Sequence, residues 1–168
     1  MTNPDIRWVQ HFSNFQKALA RLREAVALPD PSKIVREGMI QRFEYTYELG
    51  WKVLKDYLHQ AGFGDVRSPR DTIRRAFEQE LIADGTAWLL MLDDRNLTSH
   101  TYNEETARQV ETALRSSWYG LLTALEARLA PEVPTAYPDQ PPSAATPTLT
   151  AAELATLRAV FAQVPGLE

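Results

Sequence analysis

The chain has 168 residues, of which 44% are hydrophobic and 24% charged, with a formal net charge of −4, which suits one globular domain with a core. It contains no cysteine, which excludes disulfides and zinc–thiolate sites, and the acidic balance lacks the broad basic footprint of duplex-binding proteins. No apolar run approaches the ~20 residues of a membrane helix and residues 1–12 lack a secretory signal, so we expect a cytoplasmic protein with no membrane association.

Two long helices are predicted in the first sixty residues. Apolar residues step by three or four along the first helix: Trp8, Phe12, Phe15, Leu19, Leu22 and Val26. Pro29 and Pro31 end this helix and open the next. The second is expected over about residues 32–60, with an apolar stripe of Ile40, Phe43, Tyr47, Trp51, Leu54 and Leu58. Gly50 interrupts it at a cost of roughly 1 kcal/mol, unless neighbouring backbone packs close there.

Shorter helices follow. Residues 68–71 (Ser-Pro-Arg-Asp) have the form of a helix cap, a proline in the first turn and an acid behind it. The helix that they begin is expected to face inward with Ile73, Phe77 and Leu81. The next helix is expected to begin near Thr86 and to carry the apolar run 88–92 into the polar residues 95–102. Asn103 is predicted to cap the last long helix, which buries Val110, Leu114, Leu121 and Leu125.

These elements predict an all-α fold, an antiparallel up-and-down bundle of four to five helices over residues 1–130. Residues 131–149 are rich in proline and are predicted to form an extended linker. Residues 150–168 are predicted to form a short amphipathic helix, with Leu154, Leu157, Val160 and Phe161 on its apolar side. That helix either folds back onto the bundle or docks on a partner subunit, and the sequence leaves both open.

Most of the chemistry lies in residues 95–102, Arg-Asn-Leu-Thr-Ser-His-Thr-Tyr. Residues seven apart share a helix face, which divides this segment and its neighbours into two stripes. One stripe holds Asp93, Asn96 and His100, and the other holds Arg95, Ser99 and Tyr102. Arg95 and His100 therefore converge on one ligand only if the helix ends between them, the arginine wraps around the axis, or a second subunit contributes.

The reactions open to such a group are limited. His100 can take and return a proton near neutral pH, and Arg95 can neutralise a phosphorane, which together suffice for metal-free RNA cleavage by the 2′-hydroxyl. With only His11 and His59 besides it and few clustered acids, neither a metal site nor a cofactor is expected. No glycine-rich phosphate loop is present. The alternative is a surface salt bridge with a cap, a structural histidine, and in Tyr102 an ordinary half-buried aromatic.

Two further groups are weaker candidates. Glu44 and Glu48, with Lys52 a turn further on, suit a solvated ion-pair face, although Tyr45 and Glu48 could instead line a cleft. Arg70 belongs to a small basic cluster around the third helix, together with Arg67, Arg74 and Arg75. A solvated face is the simpler interpretation of this cluster, and a phosphate contact to RNA or a nucleotide is the alternative.

Three segments, residues 43–58, 68–77 and 93–104, resemble in the same order the motifs of the nucleotidyltransferase substrate-binding protein family. The resemblance covers about residues 5–130. That family belongs to the HEPN superfamily of helical bundles and is similar to the C-terminal helical domain of kanamycin nucleotidyltransferase. It implies a separate minimal nucleotidyltransferase as partner, and a homodimer that builds a heterotetramer or a larger assembly with it.

The resemblance implies two alternative functions. In one, the chain is a non-catalytic subunit that binds the substrate of the nucleotidyltransferase. In the other, it is an RNase toxin with an Arg-x4-His-x-Tyr motif, here Arg95, His100 and Tyr102, shared across a homodimer. His100 would then be general base or acid, Arg95 would stabilise the transition state, Asn96 would orient RNA, and Tyr102 would accept a silencing AMP. The weaker substrate-contact candidates are Asp93, Ser99, Tyr45, Glu48 and Arg70.

Overall fold

The computed structural model describes residues 4–134, with side chains from residue 7 onward. In this part the chain forms helices and turns without a strand. The helices are α1 (Pro4–Val26), α2 (Lys33–Gln60), α3 (Pro69–Glu78), α4 (Gly85–Leu97), α5 (Glu104–Ala113) and α6 (Tyr119–Leu129). The predicted all-α helical bundle is confirmed. The predicted C-terminal helix and most of the predicted linker lie outside the described residues.

The helix starts follow from the capping residues in the sequence. The side chain of Ser32 accepts a hydrogen bond from the Val35 backbone N–H, and Ser68 caps α3 in the same way at 3.1 Å. Asn103 Oδ1 accepts from the Glu105 N–H at 2.9 Å, as predicted. Each such cap satisfies a backbone donor that the helix leaves open and stabilises its helix by about 1 kcal/mol.

The core lies mainly between α1 and α2, with α4, α5 and α6 closing it. Phe12, Phe15 and Phe43 are fully buried. A Cβ at Gly50 would lie 3.2 Å from Cε2 of Phe15, so a glycine at this position lets the Phe15 ring reach the α2 backbone. The close neighbour at Gly50 is therefore a side chain of α1 rather than a backbone segment.

Phe77 does not face inward as predicted, because its side chain is 51% exposed. The buried face of α3 is formed by Thr72, Ile73 and Ala76, and Phe77 lies about 90° around the helix from the centre of that face. Its ring covers Gly85 instead, where a Cβ would come to 3.0 Å from the ring. Leu81 is buried as predicted, beyond the end of the helix and after a residue with positive φ, Glu80.

A π-helical segment, Leu114–Trp118, joins α5 to α6 and shifts the register of the last helix. The prediction that Leu121 faces the core is wrong by one residue. Leu122 is fully buried, whereas Leu121 is only partly buried. Buried residues here recur every four positions, which on a regular α-helix would drift by about 40° at each step. The wider π turn absorbs this drift and keeps Leu114, Trp118 and Leu122 on the core.

None of the helices described is long and apolar enough to cross a membrane.

Candidate functional site around the end of helix α4

The α-helix ends between Arg95 and His100. Helix α4 stops at Leu97, and Thr98–His100 continue as a single 3-10 turn. Hydroxyl groups bond backbone carbonyls at this point. Ser99 Oγ donates to the Asn96 carbonyl at 3.2 Å, and Thr101 Oγ1 donates to the Thr98 carbonyl at 3.1 Å, bonds that compete with a regular helix. Of the three ways of bringing Arg95 and His100 to one ligand, an end of the helix between them is therefore present in a single chain.

Arg95 points from α4 toward two glutamates of α2. Its Nε lies 3.2 Å from Oε1 of Glu48, and its Nη1 lies 3.8 Å from Oε1 of Glu44. The Nε atom is itself buried, yet the direction of its N–H does not meet the geometry of a hydrogen bond, so its contact with Glu48 is an ion pair without a directed bond. The arginine side chain is 29% exposed, which leaves part of the guanidinium open to solvent.

Each of the two glutamates is held by a second residue. The hydroxyl of Thr98, a buried residue, donates to Oε1 of Glu44 and also lies 2.6 Å from the Arg95 carbonyl. Oε2 of Glu48 accepts from the Trp51 indole N–H at 3.0 Å and lies 3.7 Å from the Lys52 ammonium. The ion pair with Lys52 was predicted, but the face of α2 that it belongs to is covered by Arg95 rather than fully solvated.

His100 and Tyr102 lie on the exposed turn that follows α4. Their ring centroids are 6.0 Å apart at an interplanar angle of 74°, an edge-to-face contact. Tyr102 is 81% exposed, so it is not the half-buried aromatic that the alternative interpretation expects. The His100 imidazole makes no hydrogen bond to any side chain or backbone group of the described residues. Both rings are open to a ligand or a modifying enzyme.

The other predicted site residues are divided among neighbouring positions. Asp93 pairs with Arg70 of α3 at 3.2 Å, with both side chains about half exposed. Asn96 and Ser99 are exposed on the same segment as Arg95. Tyr45 lies in a separate groove of about 480 Å³ between α1 and α2. The structure thus brings Glu48 to Arg95 and Arg70 to Asp93, and it leaves Tyr45 in a groove of its own.

Tyr47 lies beneath this cluster and was predicted only as a core residue. It is fully buried against Trp88, and its hydroxyl has no hydrogen-bond partner among the described residues. Burial, and then the Glu48 carboxylate, raise the pKa of this phenol, while the Arg95 guanidinium opposes them. The phenol is therefore neutral at physiological pH and is a buried polar group next to the Arg95 ion pairs.

Sequence reasoning gave no functional role to Glu44, Thr98 or Asp94. Asp94 Oδ2 accepts from the Trp118 indole N–H at 2.7 Å, which ties α4 to the π-helical segment. The available signal was the four-residue spacing of Glu44 and Glu48, because two acids on one helix face can receive a base from a neighbouring helix. Among the described residues, no cluster of three or more His, Asp or Glu side chains is arranged to hold a metal ion.

Comparison with known proteins identifies relatives of this chain. The family described as nucleotidyltransferase substrate binding protein like matches residues 10–131. A protein of Haemophilus influenzae named probable ribonuclease HepT is 40% identical over 77 residues, which cover 44% of this chain and 53% of that protein. The chain thus spans about half the length of the curated relative that it matches.

Two solved structures share the fold. One is a crystal structure of a Thermus thermophilus protein, 43% identical with a TM-score of 0.65, covering 68% of this chain and 98% of that one. The other is a Haemophilus influenzae structure described as revealing the fold of a substrate binding domain of a nucleotidyltransferase, 28% identical with a TM-score of 0.55. It covers 76% of this chain and 99% of its own. The family match extends over most of the helical bundle and includes the end of α4, and the chain belongs to the nucleotidyltransferase substrate-binding protein family.

Proposed function

We propose that this chain is the HEPN component of a two-component nucleotidyltransferase system and acts as a metal-independent RNase toxin. A partner minimal nucleotidyltransferase would neutralise it by transferring AMP to Tyr102. The observation that carries the proposal is the exposed turn after α4, where His100 and Tyr102 stand in ring contact five and seven residues beyond Arg95. The relative named probable ribonuclease HepT supports the RNase activity, and the family supports the partner.

In the proposed reaction, His100 takes the proton of the RNA 2′-hydroxyl as that oxygen attacks the adjacent phosphorus. The Arg95 guanidinium neutralises the charge that develops on the phosphorane, and Asn96 orients the RNA. The bond from phosphorus to the 5′-oxygen breaks, and that oxygen receives the proton from the imidazolium. The products are a 2′,3′-cyclic phosphate and a 5′-hydroxyl, so the reaction requires no metal-activated water.

The proposed silencing uses the contact between the two exposed rings. The Tyr102 hydroxyl gives its proton to a base of the nucleotidyltransferase, and its oxygen attacks the α-phosphorus of ATP. A new phosphodiester forms as the bond from the α-phosphorus to the bridging oxygen breaks, and pyrophosphate leaves. The added nucleotide carries a negative charge and lies next to the imidazole, because the His100 and Tyr102 ring centroids are 6.0 Å apart. It blocks access to His100 and repels RNA phosphate.

Expression of the full chain without its partner tests the RNase proposal. We expect growth arrest and RNA fragments ending in 2′,3′-cyclic phosphate from the wild type and from a His11→Ala control, whose histidine pairs with Asp56 away from α4. We expect neither result from His100→Ala. An intact RNA pool with wild-type protein present would overturn the RNase activity.

Incubation with the partner and ATP tests the modified residue. We expect the mass of one added AMP on the peptide that contains Tyr102, in the wild type and in a Tyr119→Phe control. Tyr119 accepts a hydrogen bond from Arg23 on another face of the bundle. A Tyr102→Phe variant should stay unmodified, and AMP found on any other residue would contradict the assignment.

A homodimer is also proposed, with one active site shared between two copies and a heterotetramer or larger assembly with the partner. The resemblance to HEPN proteins, which share the Arg-x4-His-x-Tyr motif across a homodimer, supports it, since a second copy would bring a second set of these side chains to one cleft. Light scattering at micromolar concentration should give twice the chain mass. A monomer under these conditions would rule out a shared site.

The second candidate function is a non-catalytic subunit that binds a substrate for the nucleotidyltransferase. The two carboxylates that face Arg95 favour it, because they neutralise the guanidinium and weaken its attraction for RNA. Relatedness to a substrate binding domain of a nucleotidyltransferase supports it as well. In this case the partner's nucleotidyl transfer to a third molecule would depend on the chain, and His100→Ala would leave that dependence unchanged.

A further inference from the structure

The strongest unexplained feature of the site is the pair of α2 carboxylates around Arg95. We propose that Glu44 and Glu48, named here the glutamate clamp, are positioning residues that hold the Arg95 guanidinium in place for the reacting phosphate. The inference rests on the proposed RNase function for its kinetic consequences, but the clamp itself has a readout that does not require cleavage.

The contacts show that the glutamate clamp is itself fixed. Its two members lie four residues apart on α2, on one face and about 6 Å apart along the helix axis. Thr98 donates to Glu44, and the Trp51 indole donates to Glu48, so neither carboxylate is free to turn away from Arg95. Ion pairs of freely moving surface side chains contribute little to position, whereas anchored partners define one place for the guanidinium.

The same contacts leave the arginine available to a ligand. Nε is 3.2 Å from Glu48 without a directed hydrogen bond, and Nη1 is 3.8 Å from Glu44, longer than a hydrogen bond. A guanidinium has five N–H donors, and neither Nη group of Arg95 makes a hydrogen bond within the described residues. The glutamate clamp therefore fixes the position of Arg95 by charge, while the Nη donors, unlike the buried Nε, remain open to phosphate oxygens.

Thr98 connects the glutamate clamp to the turn that carries His100. It is the first residue of the 3-10 turn, it donates to Glu44, and its Oγ1 lies 2.6 Å from the Arg95 carbonyl. Glu44 thus contacts both the side chain of Arg95 and the residue at which the helix ends. The Glu44 carboxylate therefore fixes the Arg95 side chain and the start of the 3-10 turn that carries His100 relative to each other.

Because the glutamate clamp is negatively charged, its removal should change RNA affinity and kcat in opposite directions. With Arg95 and Lys52, which lies 3.7 Å from Glu48, the two carboxylates sum to zero charge, so they cancel the attraction of these cations for a phosphodiester while orienting the group that stabilises its transition state. Replacing both with glutamine should tighten RNA binding about fivefold and lower kcat about tenfold or more. Damage to the fold alone would weaken binding and catalysis together.

The experiment compares Glu44→Gln/Glu48→Gln with the matched control Glu37→Gln, an exposed acid on the same helix. RNA affinity is measured in the full chain with His100→Ala added, so that no RNA is cut, and kcat is measured with His100 present. We expect tighter binding with slower cleavage for the double variant and no change for the control. Weaker binding with slower cleavage, or values equal to the control, would overturn the inference.

A nuclear magnetic resonance measurement tests whether the glutamate clamp holds Arg95, even if the wild type cleaves no RNA. The Arg95 Nε–H signal is assigned in nitrogen-15-labelled chain by its loss in Arg95→Lys. Since this nitrogen is buried and paired with Glu48, its proton should exchange slowly with water in the wild type and in Glu37→Gln. It should exchange at least about tenfold faster in the double variant, and an unchanged rate would overturn the clamp.

Thr98→Val supplies a second variant of nearly equal volume in case the double variant folds poorly. It removes only the hydroxyl that joins Glu44 to the turn. We expect a several-fold loss of kcat with RNA affinity within about twofold of the wild type, because no charge changes. A kcat equal to that of the wild type would contradict the role given to Glu44 in fixing the turn.

Discussion

Arg36 and Arg95 each face two glutamates, in two different ways. The Arg36 side chain is 7% exposed, its Nε donates to Glu111 at 2.5 Å, and its Nη2 donates to the Pro31 carbonyl at 3.2 Å. The Arg95 side chain is 29% exposed and is held by ion pairs without a directed hydrogen bond at Nε. An arginine whose donors are bonded within the protein stabilises the fold, while one held by charge alone keeps its donors for a ligand.

The largest expected effect is on activity, at Arg95. Arg95→Ala should lower RNA cleavage about a thousandfold, because the group that neutralises the phosphorane is lost. The free energy of unfolding should change by no more than about 1 kcal/mol, since the side chain is partly exposed and is held by ion pairs without a directed hydrogen bond at Nε. Cleavage rates and urea unfolding measure the two quantities, with the exposed Arg108→Ala as control. If Arg95→Ala lowered the free energy of unfolding as much as Arg36→Ala does, the proposed difference between the two arginines would be contradicted.

The reverse pattern is expected at Arg36. Arg36→Ala should lower the free energy of unfolding by about 3 kcal/mol, because it leaves the largely buried Glu111 with Arg115 as its remaining partner. Cleavage per folded molecule should stay within about twofold of the wild type. Urea unfolding gives the first quantity, and rates corrected for the folded fraction give the second. A loss below about 1 kcal/mol would show that the buried ion pair contributes little.

Two adjacent aspartates of α4, Asp93 and Asp94, should differ in the same way as the two arginines, with smaller changes in the free energy of unfolding. Asp94→Ala should lower the free energy of unfolding by about 1.5 kcal/mol, because the buried Trp118 indole N–H loses its acceptor. Asp93→Ala should cost less than about 0.5 kcal/mol, since its pair with Arg70 is half exposed. Thermal or urea unfolding of the two variants side by side tests this, and equal losses would contradict it.

The smallest effect is a dependence of stability on pH. Burial alone would raise the pKa of Glu111, but hydrogen bonds from Arg36 and Arg115 outweigh it, and the net pKa lies below the ordinary value of 4.5. A carboxyl with a lowered folded-state pKa stabilises the fold above its unfolded pKa and loses this contribution as the pH falls. Glu111→Gln should therefore flatten the decline in stability below about pH 5. An unchanged decline in acid unfolding curves would contradict the assigned cause.

The sequence predicted well those features that depend on one helix alone. The caps at Ser68 and Asn103 and the extent of α2 follow from local residue types, and they agree with the structure. The polar segment that ends α4 was also identified from its residues. The roles of its members in catalysis and modification stay predictions, for which the proposed experiments supply the test.

Features that depend on a neighbouring helix were missed. Glu44 and Glu48 were interpreted first as a solvated ion-pair face, with Glu48 also a weak candidate for a cleft, because the sequence of α2 does not show which side chain of α4 reaches them. Phe77 fits the inward pattern in spacing but lies beside the short buried face of α3. Leu121 was preferred to Leu122 because a regular helical period was assumed across a π turn.

The π-helical segment has a consequence for how the chain tolerates changes in length. Leu114 and Leu122 are eight residues apart, and deletion of the exposed Ser116 between them would leave seven, the spacing that an unbroken α-helix places on one face. The deletion would thus remove the π turn and preserve the burial of α6, at the cost of the present bond between Trp118 and Asp94. A deletion within the regular part of α6 has no such compensation, since it would rotate every later core residue by about 100°. Within the continuous helical stretch from α5 to α6, Leu114–Trp118 is therefore the segment that can lose one residue while the core residues of α6 stay buried.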